Sequence, residues 1–515
     1  MIRTGWPRRL LLIIAGAVSA LALPPVHLVF LLLPAFTVLA WAVFACTRPG
    51  RAFMAGWWFG LGHCAAGFYW VGHAFLVDAE RYGFLAPVAV IGLAVGMAVF
   101  PGLAGLAAHL FRRWRPAGPL GRILLLGSLW AVTEWIRSWV LTGFPWNLIG
   151  SVWTFSPAML QGTAFLGPYG LGLVTVALAS LPAVFLWGWS RRRGVIALAG
   201  GAVVGLVLWG AGEARLAGPA PGMVDGIQLR LVQPNIPQHL KWKNELRAGH
   251  VGRQLEMSLR PAAEGKSPTH VIWAETAVPY NLSGDEALRG AMARAVPAGG
   301  ALVTGAPRAT QSTDGSRQLF NSVHALGPDG TITATYDKKH LVPFGEYVPL
   351  RSILGLSKLT AGRLDFTPGT TPRVIRIPGL PPAAVLVCYE VIFPAEVAAF
   401  SASPAWLLNV TNDAWFGISA GPHQHLATAQ MRAAEQGLPL VRVANTGISA
   451  VVDSYGRLLA TLPLDTPGIL DSGLPASLQQ RPPYGRFGDI LTWLLILGAL
   501  AIAAFLPPGR ESDAV

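Results

Sequence analysis

The chain has 515 residues, of which 52% are hydrophobic and only 13% charged. Soluble chains of this length carry about 25% charged residues, so a wholly soluble protein and a disordered one are both excluded. The net charge of +13 does not indicate nucleic acid, because no basic stripe interleaves with aromatics: all six Lys lie between Lys241 and Lys358, and many of the 33 Arg stand in short clusters between apolar runs.

A bilayer-spanning helix needs about 20 predominantly apolar residues. Such runs occur near 8–24, 27–45, 53–76, 84–110, 120–141, 158–187 and 194–212, and once more near 487–507. Between the last two, from about 220 to 480, short β-rich runs alternate with Pro/Gly turns and amphipathic stretches. The pattern predicts a membrane domain of seven transmembrane helices over 1–219, an α/β domain over 220–482, and a last transmembrane helix with a polar tail over 483–515. The 19 Trp and 22 Phe suit the interfaces of such a protein.

The Arg clusters orient it. Arg3, Arg8 and Arg9 precede the first run, Arg48 and Arg51 separate the second from the third, Arg112, Arg113, Arg115 and Arg122 surround the gap between the fourth and fifth, and Arg191, Arg192 and Arg193 divide the sixth from the seventh. The alternate connections hold only Arg81, beside Asp78 and Glu80, and Arg137. The positive-inside rule therefore puts the N-terminus in the cytoplasm, the α/β domain outside and the tail back in the cytoplasm. Arg8-Arg9 followed by an apolar stretch ending at Ala20-Leu21-Ala22 also has the form of a cleavable signal peptide. The apolar run that follows at once favours a retained anchor, and the later loops fix the same orientation either way.

In the outer domain, strands are predicted at Ile227–Val232, His270–Trp273, Ala301–Thr304, Asn321–Leu326, Thr331–Tyr336, Ala383–Val387, Trp406–Val410, Leu440–Val443 and Ser449–Asp453. Helices are predicted at Asn244–Arg260, Asp285–Val296, Pro394–Phe400 and His423–Gln436. Strands alternating with helices indicate a layered α/β domain.

Cys46 and Cys64 fall in apolar runs, where a small thiol needs no special role. Cys388 is the outer domain's lone cysteine and has no partner there for a disulfide; it ends the apolar strand Ala383–Val387. A thiolate nucleophile needs a base, and the oxyanion it creates needs a positive charge or N–H donors. Glu275 ends another apolar strand, and Lys338 opens a Pro-, Gly- and aromatic-rich loop that contains Glu346. Each of the three taken alone has an ordinary explanation: a packed thiol, a solvated carboxylate, a surface charge. His423 and His425 lie two apart without a third ligand at zinc spacing, so no metal site is expected. Neither a phosphate-binding glycine fingerprint nor a Gly-x-Ser-x-Gly elbow is present.

Taken together, Glu275 after a strand, Lys338 in Tyr-Asp-Lys-Lys-His-Leu-Val-Pro-Phe-Gly-Glu, and Cys388 in Val-Cys-Tyr-Glu resemble the Glu-Lys-Cys triad of the nitrilase superfamily, whose fold is an α-β-β-α sandwich. With the membrane arrangement, the segments KKHLVPFGEYVP (338–349), NVTNDAWFG (409–417), GPHQH (421–425) and TGFPW (142–146) resemble the apolipoprotein N-acyltransferase family. The resemblance spans nearly the whole chain and departs at Ala274, where Pro is expected. It implies that Cys388 takes an acyl chain from a membrane phospholipid, phosphatidylethanolamine above all, as a thioester. It further implies that Glu275 is the base, that Lys338 steadies the oxyanion, and that Glu346, Tyr389, Glu390, Trp242 and Trp415 support the site or hold substrate. The acceptor would be the α-amino group of a diacylglyceryl-cysteine at an apolipoprotein's N-terminus. The implied setting is the bacterial inner membrane with a periplasmic catalytic domain, working as a monomer and without a cofactor, since the ester donor already carries the acyl group.

Two other readings compete. A membrane-anchored amidase or nitrilase would hydrolyse a small C–N substrate with the same triad, admitting water where an acyltransferase excludes it. A transporter with an inert outer module would need more ionisable residues in its spans than Glu134, His63 and His73, and Glu134 can pair with Arg137 one turn away. Extracting lipid chains into water would cost about 0.8 kcal/mol per CH₂, so an acyltransferase gains from lying on the membrane. The apolar Leu350–Leu364 segment has two readings, ordinary packing on the domain or a lid that dips into the outer leaflet.

Overall fold

The computed structural model describes residues 5–218, 221–262, 267–311, 315–349, 365–398 and 402–506. The Leu350–Leu364 segment lies outside them. By internal contacts the chain forms two units: 1–72, 84–219 and 482–515 in one, and 73–83 with 220–481 in the other.

The first unit is helical. Each apolar run of the sequence contains a helix: Trp6–Ala20, Leu32–Phe44, Pro49–Gly67, Ala86–Met97 continued by Val99–Trp114, Pro119–Arg137, Gly162–Ser180, Arg191–Leu216 and Asp489–Phe505. Among the described residues, three helical segments, Ala79–Trp114, Gly162–Trp187 and Arg191–Leu216, are long and apolar enough to cross a membrane by length and composition. The 53–76 run does not hold one continuous helix. It stops at Gly67, where Phe68 leaves helical geometry, and short turns follow. His73–Gly83 then groups with the second unit, which moves this segment out of the domain expected over 1–219.

Small residues let these helices approach backbone to backbone. A Cβ on Gly16 would lie 1.9 Å from the Phe59 carbonyl oxygen, and one on Gly62 would lie 1.9 Å from that of Ile13. Helices packing in lipid gain from such close approach, because no difference in apolarity drives them together. Arg191–Leu216 buries only Gly194 and Gly212 and turns Val203, Leu206 and Val207 outward, as suits a lipid-facing surface. Buried Glu134 accepts from Arg137 Nη2 at 3.4 Å and from the Ile149 N–H at 2.9 Å, and Arg137 Nη1 donates to the Trp146 carbonyl at 2.9 Å. Glu134 and Arg137 therefore form a structural pair.

The second unit contains two six-stranded sheets. One comprises β1 (Met223–Gln233), β2 (His270–Trp273), β3 (Ala301–Gln311), β4 (Arg317–Leu326), β5 (Ile332–Asp337) and β12 (Gly468–Pro475), in the order β12-β1-β2-β3-β4-β5. The other comprises β6 (Val374–Ile375), β7 (Ala383–Val387), β8 (Trp406–Thr411), β9 (Leu440–Ala444), β10 (Ser449–Val452) and β11 (Leu458–Leu462), in the order β11-β10-β9-β8-β7-β6. In each sheet the central three strands, β1-β2-β3 and β7-β8-β9, run parallel. The nine strands expected from alternation all form. β6, β11 and β12 were missed because they are two residues long, half exposed, or Gly-rich with little alternation.

Leu229, Leu231, Ile272 and Val303 of the first sheet share one apolar core with Val385, Val387, Leu408 and Val443 of the second. On the outer face of the first sheet, helices Asn244–Ser258 and Glu286–Ala293 bury Val251, Met257 and Met292 against Trp273 and Leu302. Pro394–Ala398 and Ala420–Gln436 accompany the second sheet. The result is the α-β-β-α layering.

Candidate active site

Ligand sites in parallel sheets gather at the carboxyl ends of the strands, where the backbone leaves the ladder and side chains point off the edge. Glu275 follows β2 and Cys388 follows β7. β5 runs with β3, because β4 is antiparallel to both, so Lys338 leaves the same edge as Glu275.

All three side chains are buried: Glu275 is 6% exposed, Lys338 1% and Cys388 8%. Lys338 Nζ lies 2.9 Å from Glu346 Oε2 and 3.5 Å from Glu275 Oε1. Asn321 Nδ2 bridges the two carboxylates, donating to Glu275 Oε1 at 2.7 Å and Glu346 Oε1 at 2.8 Å. The Asn412 N–H donates to Glu275 Oε2 at 2.9 Å, and the Val342 N–H to Glu346 Oε2 at 2.8 Å. Every carboxylate oxygen of this cluster is thereby held, as buried charges require. Burial works against the Lys338 ammonium, but Glu346 and then Glu275 outweigh it and keep the lysine firmly protonated.

Cys388 adopts a positive φ of 50°, in the left-handed region that costs a non-glycine residue about 1–3 kcal/mol. A buried scaffold holds it there. His425 Nε2 faces the Cys388 carbonyl at 3.1 Å and His425 Nδ1 faces Asp413 Oδ1 at 2.9 Å. Arg442 Nη2 donates to Asp413 Oδ2 at 2.6 Å, and Arg442 Nη1 also donates to Asn409 Oδ1. Against burial, Arg442 and then His425 hold the Asp413 carboxyl well below the usual carboxylate range. Burial, and next the Glu275 carboxylate, push the Cys388 thiol well up, so it rests protonated. An anionic sulfur forms there only if a neighbour takes the proton.

Glu390, fully buried, accepts from the Tyr336 hydroxyl at 2.8 Å and the N–H groups of Lys339, His340 and Val387 at 2.9, 3.2 and 2.8 Å, and it pairs with Arg373 at 3.0 Å. It therefore ties the residues after Lys338 to the residue before Cys388. Tyr389 is buried beside His340 and Phe393. Trp242, whose carbonyl accepts from Arg247, and Trp415, which ends a short turn after Asp413, are half-buried, and neither has a hydrogen bond to the triad.

Among the described residues, Cys388, Asp413 and His425 are the one group that brings three metal-type ligand atoms within 4.8 Å of one another. The Arg442 guanidinium already occupies Asp413, and both His425 nitrogens have partners, so these donors are engaged within the protein. Asn321, Lys241 and the Asp413–His425–Arg442 network had escaped the sequence reading. Asn321 lies inside a strand pattern and carries no signal. Asp413 and His425 stand in the motifs quoted above, His425 within the predicted His423–Gln436 helix, and Lys241 lies in a short turn without periodicity.

Residues 15–181 match the family model for the apolipoprotein N-acyltransferase N-terminal domain, and residues 229–482 match that for carbon-nitrogen hydrolases. An apolipoprotein N-acyltransferase of Rhodopseudomonas palustris is 39% identical over 524 residues, covering 98% of this chain and 96% of the relative. One of Bradyrhizobium diazoefficiens is 40% identical over 517 residues, covering 97% and 95%. Among solved structures, a carbon-nitrogen hydrolase from Helicobacter pylori is similar over 48% of this chain and 89% of its own, at 16% identity and a TM-score of 0.36.

Proposed function

The chain belongs to the apolipoprotein N-acyltransferase family, and from that premise we propose how its residues perform the transfer. It is an acyltransferase of lipoprotein maturation, with a membrane phospholipid as donor and a lipoprotein as acceptor. Its first 219 residues and residues 483–515 cross the inner membrane eight times, with both termini cytoplasmic, and the domain over 220–482 works in the periplasm as a monomer.

In the first half-reaction Glu275 takes the thiol proton as Cys388 Sγ attacks an ester carbonyl of the phospholipid, phosphatidylethanolamine for preference. Lys338 faces the oxyanion. The carbonyl re-forms with loss of the alkoxide, Glu275 returns the proton to it, and a lysophospholipid leaves. In the second half-reaction the diacylglyceryl-cysteine amine attacks the thioester, Glu275 accepts a proton from the nitrogen, and the sulfur leaves and is reprotonated. One C–O bond is exchanged for a C–S bond and then for an amide C–N bond, so no external energy source or cofactor is required. The resting thiol's raised proton affinity fits this cycle, in which the nucleophile is made only when Glu275 acts as base. Glu346 and Asn321 would hold Lys338 and Glu275 in register, Glu390 and Tyr389 would hold the two strand ends, and Trp242 and Trp415 would line the approach.

One observation carries the reading: Glu275, Lys338 and Cys388 leave the ends of different strands, and all three are buried, with Glu275 and Lys338 paired at 3.5 Å. The test is intact-protein mass spectrometry after incubation with phosphatidylethanolamine and no acceptor, alongside Cys388→Ala. We expect a hydroxylamine-labile gain of one acyl chain in the natural protein and none in the variant. A folded, lipid-bound protein that gains no adduct would refute the thioester route and turn attention to hydrolysis of small amides.

A further inference from the structure

A second buried lysine reaches the same site, and the cycle above does not use it. Lys241 ends the short Gln238–Lys241 turn, is 3% exposed, and donates from Nζ to the main-chain carbonyl of Glu275 at 3.1 Å. That bond uses one of its three ammonium protons. Burying an ammonium is costly unless opposite charge repays it, and one carbonyl dipole is a poor substitute for a counter-ion.

The charges of the site show what repays it. Glu275 and Glu346 are both buried, and Lys338 lies against both. Asp413, beyond Cys388, is matched by Arg442, and Glu390 by Arg373. With Lys338 alone the catalytic cluster has one cation for two carboxylates. It would carry net negative charge at the point where a thiolate and then an oxyanion must form, which opposes both.

We infer that Lys241 is the second cation of the active site, bringing the buried Glu275–Glu346–Lys338 cluster to neutrality and thereby setting how readily Cys388 accepts the acyl chain. The inference rests on Cys388 being the nucleophile and Glu275 its base. Besides Glu275 and Cys388, the turn meets two further charged or titratable groups among the described residues: His250, which bonds the Leu240 carbonyl, and Arg247, which bonds that of Trp242. Burial draws Lys241 down to about 8, against the pull of the Glu275 carboxylate. Lys338 and the Cys388 thiol are displaced upward instead. Of the two lysines, Lys241 is therefore the one that loses its charge in mildly alkaline solution.

The test measures single-turnover acylation by phosphatidylethanolamine from pH 6 to 9.5, in the full-length protein and in Lys241→Met, Lys241→Arg and Cys388→Ala. The natural protein should lose rate above about pH 8, falling towards the level of Lys241→Met. Lys241→Met should be roughly 10–100-fold slower at pH 7 and lack that fall. Lys241→Arg, which stays charged, should keep most of the rate and carry it past pH 9. A flat profile in the natural protein, with both variants equally slow, would make Lys241 a mere prop for the Glu275 backbone and overturn the inference. So would Lys241→Met acylating like the natural protein. An adduct that also forms in Cys388→Ala would instead remove the nucleophile assignment on which the inference depends.

Discussion

Replacing Glu390 should loosen the strand ends that carry Lys338 and Cys388 at once without touching the thiol. Its two carboxylate oxygens take five donors: Tyr336, the N–H groups of Lys339, His340 and Val387, and the Arg373 guanidinium. In Glu390→Gln the shape remains, but the charge opposite Arg373 is lost and the amide NH₂ must face one of the former donors. The Val387 N–H, at 2.8 Å from Oε2, is the nearest casualty. Losing a charge-assisted bond and leaving one buried donor unmet costs about 2–5 kcal/mol, and for a domain of this size each kcal/mol lowers Tm by roughly 2–4 °C. Val387 immediately precedes the strained Cys388, and Lys339 immediately follows Lys338, so a shift of about 1 Å at either should slow acylation by roughly 100-fold. The assay pairs thermal unfolding in detergent with single-turnover thioester formation. A variant that unfolds within 1–2 °C of the natural protein and acylates within twofold of its rate would refute the claim that Glu390 holds the two strand ends together.

Two further outcomes follow from the same geometry. Asn321→Asp would set a third carboxylate against Glu275 and Glu346 in place of the amide that bridges them at 2.7 and 2.8 Å; acylation should fall by about 100-fold, with Asn321→Ser retaining more, and equal rates in both would exclude the bridge. His324, buried in β4 with Nδ1 on the Thr335 hydroxyl at 3.0 Å, is drawn down to about 4 by burial. A depressed histidine stabilises the fold fully above its unfolded value near 6.5 and loses that contribution as pH falls towards 4, about 2 kcal/mol by pH 5. His324→Leu should therefore flatten the decline of Tm between pH 7 and 5, and an unchanged slope would count against this.

How far the sequence reached is clearest at individual elements. Uninterrupted apolar stretches such as 194–212 announce themselves because lipid as solvent demands length and apolarity and little else. The nine alternating strands were legible for a related reason: a sheet covered on one face by another sheet writes its burial with period two or as a short apolar run. β12 pairs with β1 across more than two hundred residues of chain and was not legible, since the ladder that stabilises it is non-local. The end of a helix at Gly67 and the grouping of His73–Gly83 with the second unit were also set by packing that hydropathy does not record.

The site divides in the same way. Glu275, Lys338 and Cys388 stood out in the sequence because reactive residue types ended apolar strands and the motifs around them resembled a known family. Their partners could not. Asn321 serves two carboxylates only because β4 carries it beside the ends of β2 and β5. Lys241 reaches Glu275 only through the turn that precedes the Asn244–Ser258 helix. His425 bonds the Cys388 backbone and is itself held by Asp413, in the turn after β8, with which Arg442 of β9 pairs. The chain by itself determined which chemistry was available and where the apolar helices would form, since both follow from local composition. Tertiary structure decided which charges meet: in a buried site each charge must find a counter-charge or donor within about 3 Å, and sequence distance does not measure that separation.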